Sequence, residues 1–193
     1  MKAYNTLSDT QLIQLYNQGN SNAFACIVKR YESRIFTSIF LLVKDRYLAE
    51  DIFQDVFIRV LESIKNNTYS EEGKFLPYVM RIAHNLCMDH FRKSKRLPTI
   101  KTSDNLDIFD VISFAEPARE DKMIQGEMQE RVRRLIDKLP EDQREVIILR
   151  HFADLSFKEI STLTNSSINT ALGRMRYGLK NIRKMTIERQ IAI

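Results

Sequence analysis

The stretch Ser156 to Lys184, SFKEISTLTNSSINTALGRMRYGLKNIRK, constrains the chain more than any other. Ser156 and Glu159 have capping-box spacing, so the serine serves the free amides of a helix start while the glutamate reaches back. A short helix with Ile160 and Leu163 follows. The polar run Thr164 to Ser167 breaks the apolar spacing, and Ser166 or Ser167 is placed to cap a second helix. There Ile168, Ala171, Met175, Leu179 and Ile182 recur in steps of three and four, which predicts a face packed on the first helix. Asn169, Thr170, Gly173, Arg174, Tyr177 and Lys180 take the other side. Residues 168–184 hold five Lys or Arg and no acid. A basic helix entering a major groove by its N-terminal end places Asn169 and Thr170 near base edges and the later cations near phosphates. A solvated basic face on an ordinary helical hairpin shares the composition. The cap, the turn length and the one-sided charge together favour DNA.

Few glycines and prolines (five and four in 193 residues) with abundant Leu, Ile, Glu, Lys and Arg predict an all-α chain. Its charge is arranged in blocks. Residues 1–96 carry 14 Lys or Arg against 10 Asp or Glu, residues 97–122 carry 3 against 6, and residues 123–193 carry 13 against 9. Two small helical domains, 1–96 and 123–193, joined by a flexible acidic linker, follow from this pattern. The linker holds Pro98 and Pro117 and lacks a sustained period, yet its apolar islands, such as Ile108 and Phe109, could settle into a groove.

In the first block, Ser8 and Gln11 repeat the capping-box spacing ahead of a short helix ending near Gly19. A long helix from Phe24 to Leu42 follows, most of it core. Between Leu48 and Ile64 the apolar stripe is Ile52, Phe53, Val56, Phe57, Val60, Leu61 and Ile64. Asp51, Gln54, Asp55, Ile58 and Glu62 fall together on the opposite side. An isolated exposed isoleucine is common; one centred in an acidic face of a basic block also fits a protein-binding surface.

Pro77 suits the first turn of the next helix, read as Tyr78 to Arg96. Tyr78, Arg81, Asn85, Asp89, Arg92 and Arg96 form one stripe, and Val79, Ile82, Ala83 and Leu86 are expected to face inward. Phe75 and Tyr78 are expected to offer aromatic planes beside the cations of FRKSKR, a combination suited to single-stranded DNA. A basic helix C-terminus is also favourable with the helix dipole alone.

Catalytic and metal readings find little footing. On a helix His84, Cys87 and His90 spread over about 120° and do not converge on a metal. No Gly-rich phosphate loop occurs, and His151 has no nucleophile beside it. No catalytic residue, metal or cofactor is expected. Two cysteines, Cys26 and Cys87, make no disulfide framework and read as buried thiols. No signal-peptide pattern opens the sequence, and the most apolar run, Ile35 to Val43, is well short of the roughly 20 residues of a membrane span. A cytoplasmic protein without membrane insertion is expected.

With these segments in place, the sequence resembles bacterial RNA polymerase sigma factors of the extracytoplasmic-function (ECF) group, over nearly its whole length. Ala49 to Glu62 (AEDIFQDVFIRVLE) is similar to the polymerase-clamp helix, Phe75 to Arg96 to the minus-ten reading helix, and Leu139 to Lys184 to the minus-thirty-five domain. The resemblance implies a non-enzymatic initiation factor, with domain 1–96 as region 2 and 123–193 as region 4. It implies docking of Asp51, Gln54 and Asp55 on the clamp coiled coil of the largest polymerase subunit; Ile58 joins them from the helical face. Tyr78, Arg81, Asn85, Asp89 and Arg92, with Phe75 beside them, correspond to the segment around melted minus-ten DNA. Ser167, Asn169, Thr170, Gly173 and Arg174, with Tyr177, correspond to the segment set into the major groove at minus thirty-five. An anti-sigma factor is an implied partner, and the acidic linker is implied to lie near the RNA path. Tyr78 stands where the family commonly has Trp, His84 where it often has Arg, and Leu172 where a basic residue is usual. Leu172 either faces the groove or extends the hydrophobic seam.

Overall fold

The computed structural model describes Tyr4 and residues 6–70, 74–96 and 131–188. Among these residues the regular structure is helical, with no strand. The helices are α1 (Asp9–Asn17), α2 (Ser21–Val43), α3 (Arg46–Lys65), α4 (Phe75–Arg96), α5 (described over 131–137), α6 (Glu141–His151), α7 (Phe157–Leu163) and α8 (Ile168–Glu188). The expected linker over 97–122, and Ile124 and Met128 of the helix after it, lie outside the described residues. The chain divides into two compact units, Met1–Leu97 with His151–Leu155, and Pro98–Arg150 with Ser156–Ile193.

In the first unit α2 packs on α1, α3 and α4, and α3 packs on α4. The capping box at Ser8 forms: Gln11 N–H donates to Ser8 Oγ at 3.2 Å, and Ser8 N–H to Gln11 Oε1 at 2.8 Å. The first turn of α1 is then tied to α2, because Asp9 accepts from Arg30 Nη1 at 2.6 Å and from the Tyr31 hydroxyl at 2.5 Å. Burial, followed by the adjacent Asp9 carboxylate, pushes the Tyr31 phenol up to about 12.

The α2–α3 corner turns at Lys44, whose φ of 60° ends α2, and Asp45 accepts from Leu48 N–H at 3.0 Å. This cap starts α3 at Arg46, two residues before the apolar spacing indicates. Ile52, Val56, Phe57, Val60 and Ile64 are buried. Edge-on rings link the helices, with Phe24 and Phe57 centroids 6.2 Å apart and Phe36 and Phe53 5.9 Å apart.

Helix α4 begins at Phe75, ahead of the expected Tyr78, and buries Phe75, Leu76, Val79, Met80, Ala83, His84 and Cys87. Ile82 and Leu86, expected inward, are only half-buried. Burial pushes the Cys87 thiol up to about 12, so it behaves as a small apolar side chain; Cys26, expected to be buried, is partly exposed.

In the second unit α6 and α8 approach closely at Gly178, where an added Cβ would stand 2.7 Å from Ile147 Cδ1. Asn181 Nδ2 donates to Gln143 Oε1 at 2.8 Å along the same seam. Helix α7 packs on α8. Ala171 and Gly178 are the buried residues of α8, and they place its inner face. Ile168 and Leu179, expected on that face, are instead 45% and 46% exposed. Small residues admit the neighbouring helices, and the seam is rotated toward them and away from the large apolar side chains. Leu172, at 44%, lies on the exposed flank with Ile168 and Leu179 and does not extend the seam.

Candidate functional site

Three surfaces carry the residues that the spacing singles out. On α3, Asp51, Gln54, Asp55, Ile58 and Glu62 are all exposed, with Ile58 at 53%. Periodicity brings them to one face because the other face is committed to the core. Tyr47, 70% exposed in the first turn, continues this row, standing four residues before Asp51 and eleven before Ile58. Its spacing was available in the sequence, but the apolar stripe places the helix start beyond it.

On α4, Arg81, Asn85 and Arg92 are exposed, and Tyr78 and Asp89 are half-exposed. Phe75 departs from expectation: at 1% exposure it is part of the core, between Tyr31 (centroids 5.7 Å apart) and Tyr69 (6.0 Å), and presents no plane for a base. It falls in phase with Val79 and Ala83, four and eight residues on, which carries it inward. Tyr78 is held in place. Its hydroxyl donates to Ser63 Oγ at 2.7 Å, its ring lies 4.6 Å from that of Tyr69, and the Arg81 guanidinium lies 5.6 Å from its centroid. Aromatic and cation are thus brought together on the outer face. Arg92 and Asp89 pair at 3.1 Å. Ser63 and Tyr69, from α3 and the loop after it, are positioning groups that sequence spacing does not reveal.

The helix–turn–helix is built by local hydrogen bonds. Glu159 N–H donates to Ser156 Oγ at 3.3 Å, and Ser156 N–H to Glu159 Oε2 at 2.8 Å. After Thr164, Asn165 takes a φ of 48°, and Ser166 N–H returns to Ser161 O. Ser167, rather than Ser166, caps α8, accepting from Thr170 N–H at 3.0 Å. The cap leaves Asn169 and Thr170 exposed at the helix start, with Tyr177 60% exposed two turns on. Gly173 is half-exposed between them. Arg174 is turned toward α6: its side chain is 26% exposed and its Nη2 donates to Asp142 Oδ2 at 2.6 Å. Asp142 has no place in the recognition-helix pattern, being 32 residues upstream.

Among the described residues no helix is long and apolar enough to cross a membrane, and no group of three His, Cys, Asp or Glu residues is disposed to hold a metal ion.

Family models of Sigma-70 region 2 and Sigma-70 region 4 match residues 27–97 and 129–180. The ECF RNA polymerase sigma factor SigW of Bacillus subtilis is 30% identical over 176 residues, covering 89% of this chain and 93% of SigW. The RNA polymerase sigma-H factor of Pseudomonas aeruginosa is 28% identical, with 86% and 88% covered. Among solved structures, CnrH in complex with the cytosolic domain of CnrY aligns with a TM-score of 0.63 at 19% identity, covering 93% of this chain and 97% of that one. The sigma factor RpoE from Bartonella quintana, in complex with the anti-sigma factor NepR, aligns at 0.61 and 15% identity, with 83% and 94% covered. These two share the fold. With both sigma regions matched in order and SigW matched over nearly its whole length, the chain belongs to the ECF RNA polymerase sigma factors, which bind core RNA polymerase and direct promoter-specific initiation of transcription.

Proposed function

We propose that three faces divide the work of initiation. Residues 1–96 form the region that binds core polymerase and opens the minus-ten element, 97–122 an acidic linker near the RNA path, and 123–193 the region that reads the minus-thirty-five element. The observation that carries this reading is the outward row of α3, where Asp51, Gln54, Asp55 and Ile58 are all exposed on a helix whose other side is core. Acidic groups around an apolar centre suit a basic-rimmed partner surface, and the clamp coiled coil of the largest polymerase subunit is the assigned partner.

On α4, Tyr78, Arg81, Asn85, Asp89 and Arg92 receive the melted minus-ten strand, with Phe75 as the buried support beneath the Tyr69–Tyr78 pair. Each base stacked on an aromatic plane contributes on the order of 1–3 kcal/mol, and part of the free energy of opening comes from this capture. On α8, Ser167, Asn169, Thr170, Gly173, Arg174 and Tyr177 form the duplex-reading segment. The chain itself performs no catalysis and acts in the cytoplasm. An anti-sigma factor is its expected regulator, a role supported by the partner named with the Bartonella RpoE structure.

Asp55→Arg tests the docking face. The variant is expected to keep its helical circular dichroism and melting behaviour, because Asp55 is exposed on the outer face of α3, while losing association with core polymerase in gel filtration. Normal association sinks the α3 assignment. Transcription by the reconstituted holoenzyme from a promoter library then reveals the two DNA elements.

A further inference from the structure

Arg174 is set apart from the cations on the outer side of α8. Arg176 and Lys180 are exposed there, whereas Arg174 is drawn to the first turn of α6 by Asp142, itself 62% exposed. The pair lies at an open cleft of about 420 Å³ lined by Pro140, Asp142, Thr170, Gly173, Arg174 and Tyr177. Gly178 against Ile147, and the Asn181–Gln143 hydrogen bond, fix α8 on α6, so the carboxylate and the guanidinium meet from two elements held in register. One guanidinium donor is engaged at 2.6 Å, and an arginine has five.

We propose that Asp142 is a positioning residue for minus-thirty-five recognition, holding Arg174 at the cleft so that its charge is withheld from arbitrary backbone phosphates and directed to the cognate element. The inference rests on the reading of α8 as the duplex-contacting helix. A carboxylate 2.6 Å from the guanidinium offsets much of its pull on a phosphate, which is the sequence-independent part of DNA affinity. A fixed guanidinium also loses less conformational freedom on meeting its intended acceptor. The pair is partly exposed, so its effect is a bias rather than a lock.

The test uses the full chain bound to core polymerase, titrated at stepped salt concentrations with duplexes carrying either the library-selected minus-thirty-five element or a scrambled one. Asp142→Asn is expected to raise affinity for the scrambled duplex by about two- to five-fold, the range of a partly exposed ion pair. Cognate affinity should not rise in step, so discrimination falls. The slope of log affinity against log salt for the scrambled duplex should steepen by about one, as for one additional phosphate contact. Asp142→Glu, which keeps the carboxylate, should restore discrimination, and Asp142→Asn in an Arg174→Ala background should change neither ratio nor slope. Glu141→Gln, removing a charge one residue away, should raise both affinities alike. Equal gains on both duplexes for Asp142→Asn, or a fall in discrimination or a steeper salt slope that persists without the arginine, overturn the proposal while leaving α8 as the reading helix. If Arg174→Ala alone leaves cognate binding unchanged, the assignment of Arg174 to the duplex fails, and the role of Asp142 fails with it.

Discussion

An added Cβ at Gly178 would approach Ile147 Cδ1 to 2.7 Å and Gln143 Cβ to 3.4 Å, whereas at Gly173 nothing lies within 4 Å. The two glycines of α8 therefore answer substitution with opposite signs. Gly173→Ala should raise stability by up to about 1 kcal/mol through helix propensity alone, while weakening binding to the minus-thirty-five duplex if DNA backbone must approach closely there. Gly178→Val should cost about 1–3 kcal/mol by forcing α8 off α6. Urea titration of both variants reads the stabilities; two shifts of the same sign would contradict the geometry. Sequence alone does not separate these glycines. Hydropathy weighs side chains, so Ile168 and Leu179 outrank Ala171 and Gly178, although the small residues make the seam. The turning of Arg174 toward Asp142 was equally hidden, since it depends on a contact 32 residues away.

Helix starts marked by a two-residue capping box were the readable ones, whereas the single-residue Asp45 cap of α3 was passed over. The capping boxes at Ser8 and Ser156 form at the spacing that announces them, because partner and cap lie within one turn. The outer face of α3 was legible for a related reason: seven apolar residues on one side leave little freedom in the phase of the other. Phe75 shows the converse. Its aromatic character points to stacking, while its four-residue step to Val79 points to the core, and in the fold the periodicity prevails. Helix α7 is the element most dependent on its cap, since seven residues are far fewer than the roughly 12–15 at which an isolated helix becomes even marginal in water. Ser156→Ala should cost about 0.5–2 kcal/mol, and the amides of the α7 first turn should lose hydrogen-exchange protection before those of α8. Unchanged protection at Glu159 would contradict the role of the cap, because its N–H donates to Ser156 Oγ.

At the scale of the molecule, the sequence carries two basic blocks around an acidic connector, and the faces assigned to DNA belong to different compact units. Tyr78 sits in the first unit among Ser63, Tyr69 and Arg81, while Arg174 sits in the second beside Asp142. Duplex binding and strand opening should therefore separate by mutation. Tyr78→Ala removes the aromatic plane; with on the order of 1–3 kcal/mol at stake per stacked base, opening of a selected promoter should fall about 5- to 150-fold while closed-duplex binding changes little. Tyr78→Phe keeps the plane and loses only the hydroxyl donated to Ser63, so it should retain most of the opening activity. Arg174→Ala should do the reverse, weakening duplex binding by the holoenzyme while leaving opening of an artificially premelted promoter nearly intact. Permanganate reactivity of unpaired thymines reads opening, and filter binding on duplex and premelted templates reads capture. Equal loss of both steps in both variants would remove the division of labour, and a Tyr78→Phe defect as deep as that of Tyr78→Ala would transfer the opening role from the ring to its hydroxyl contact.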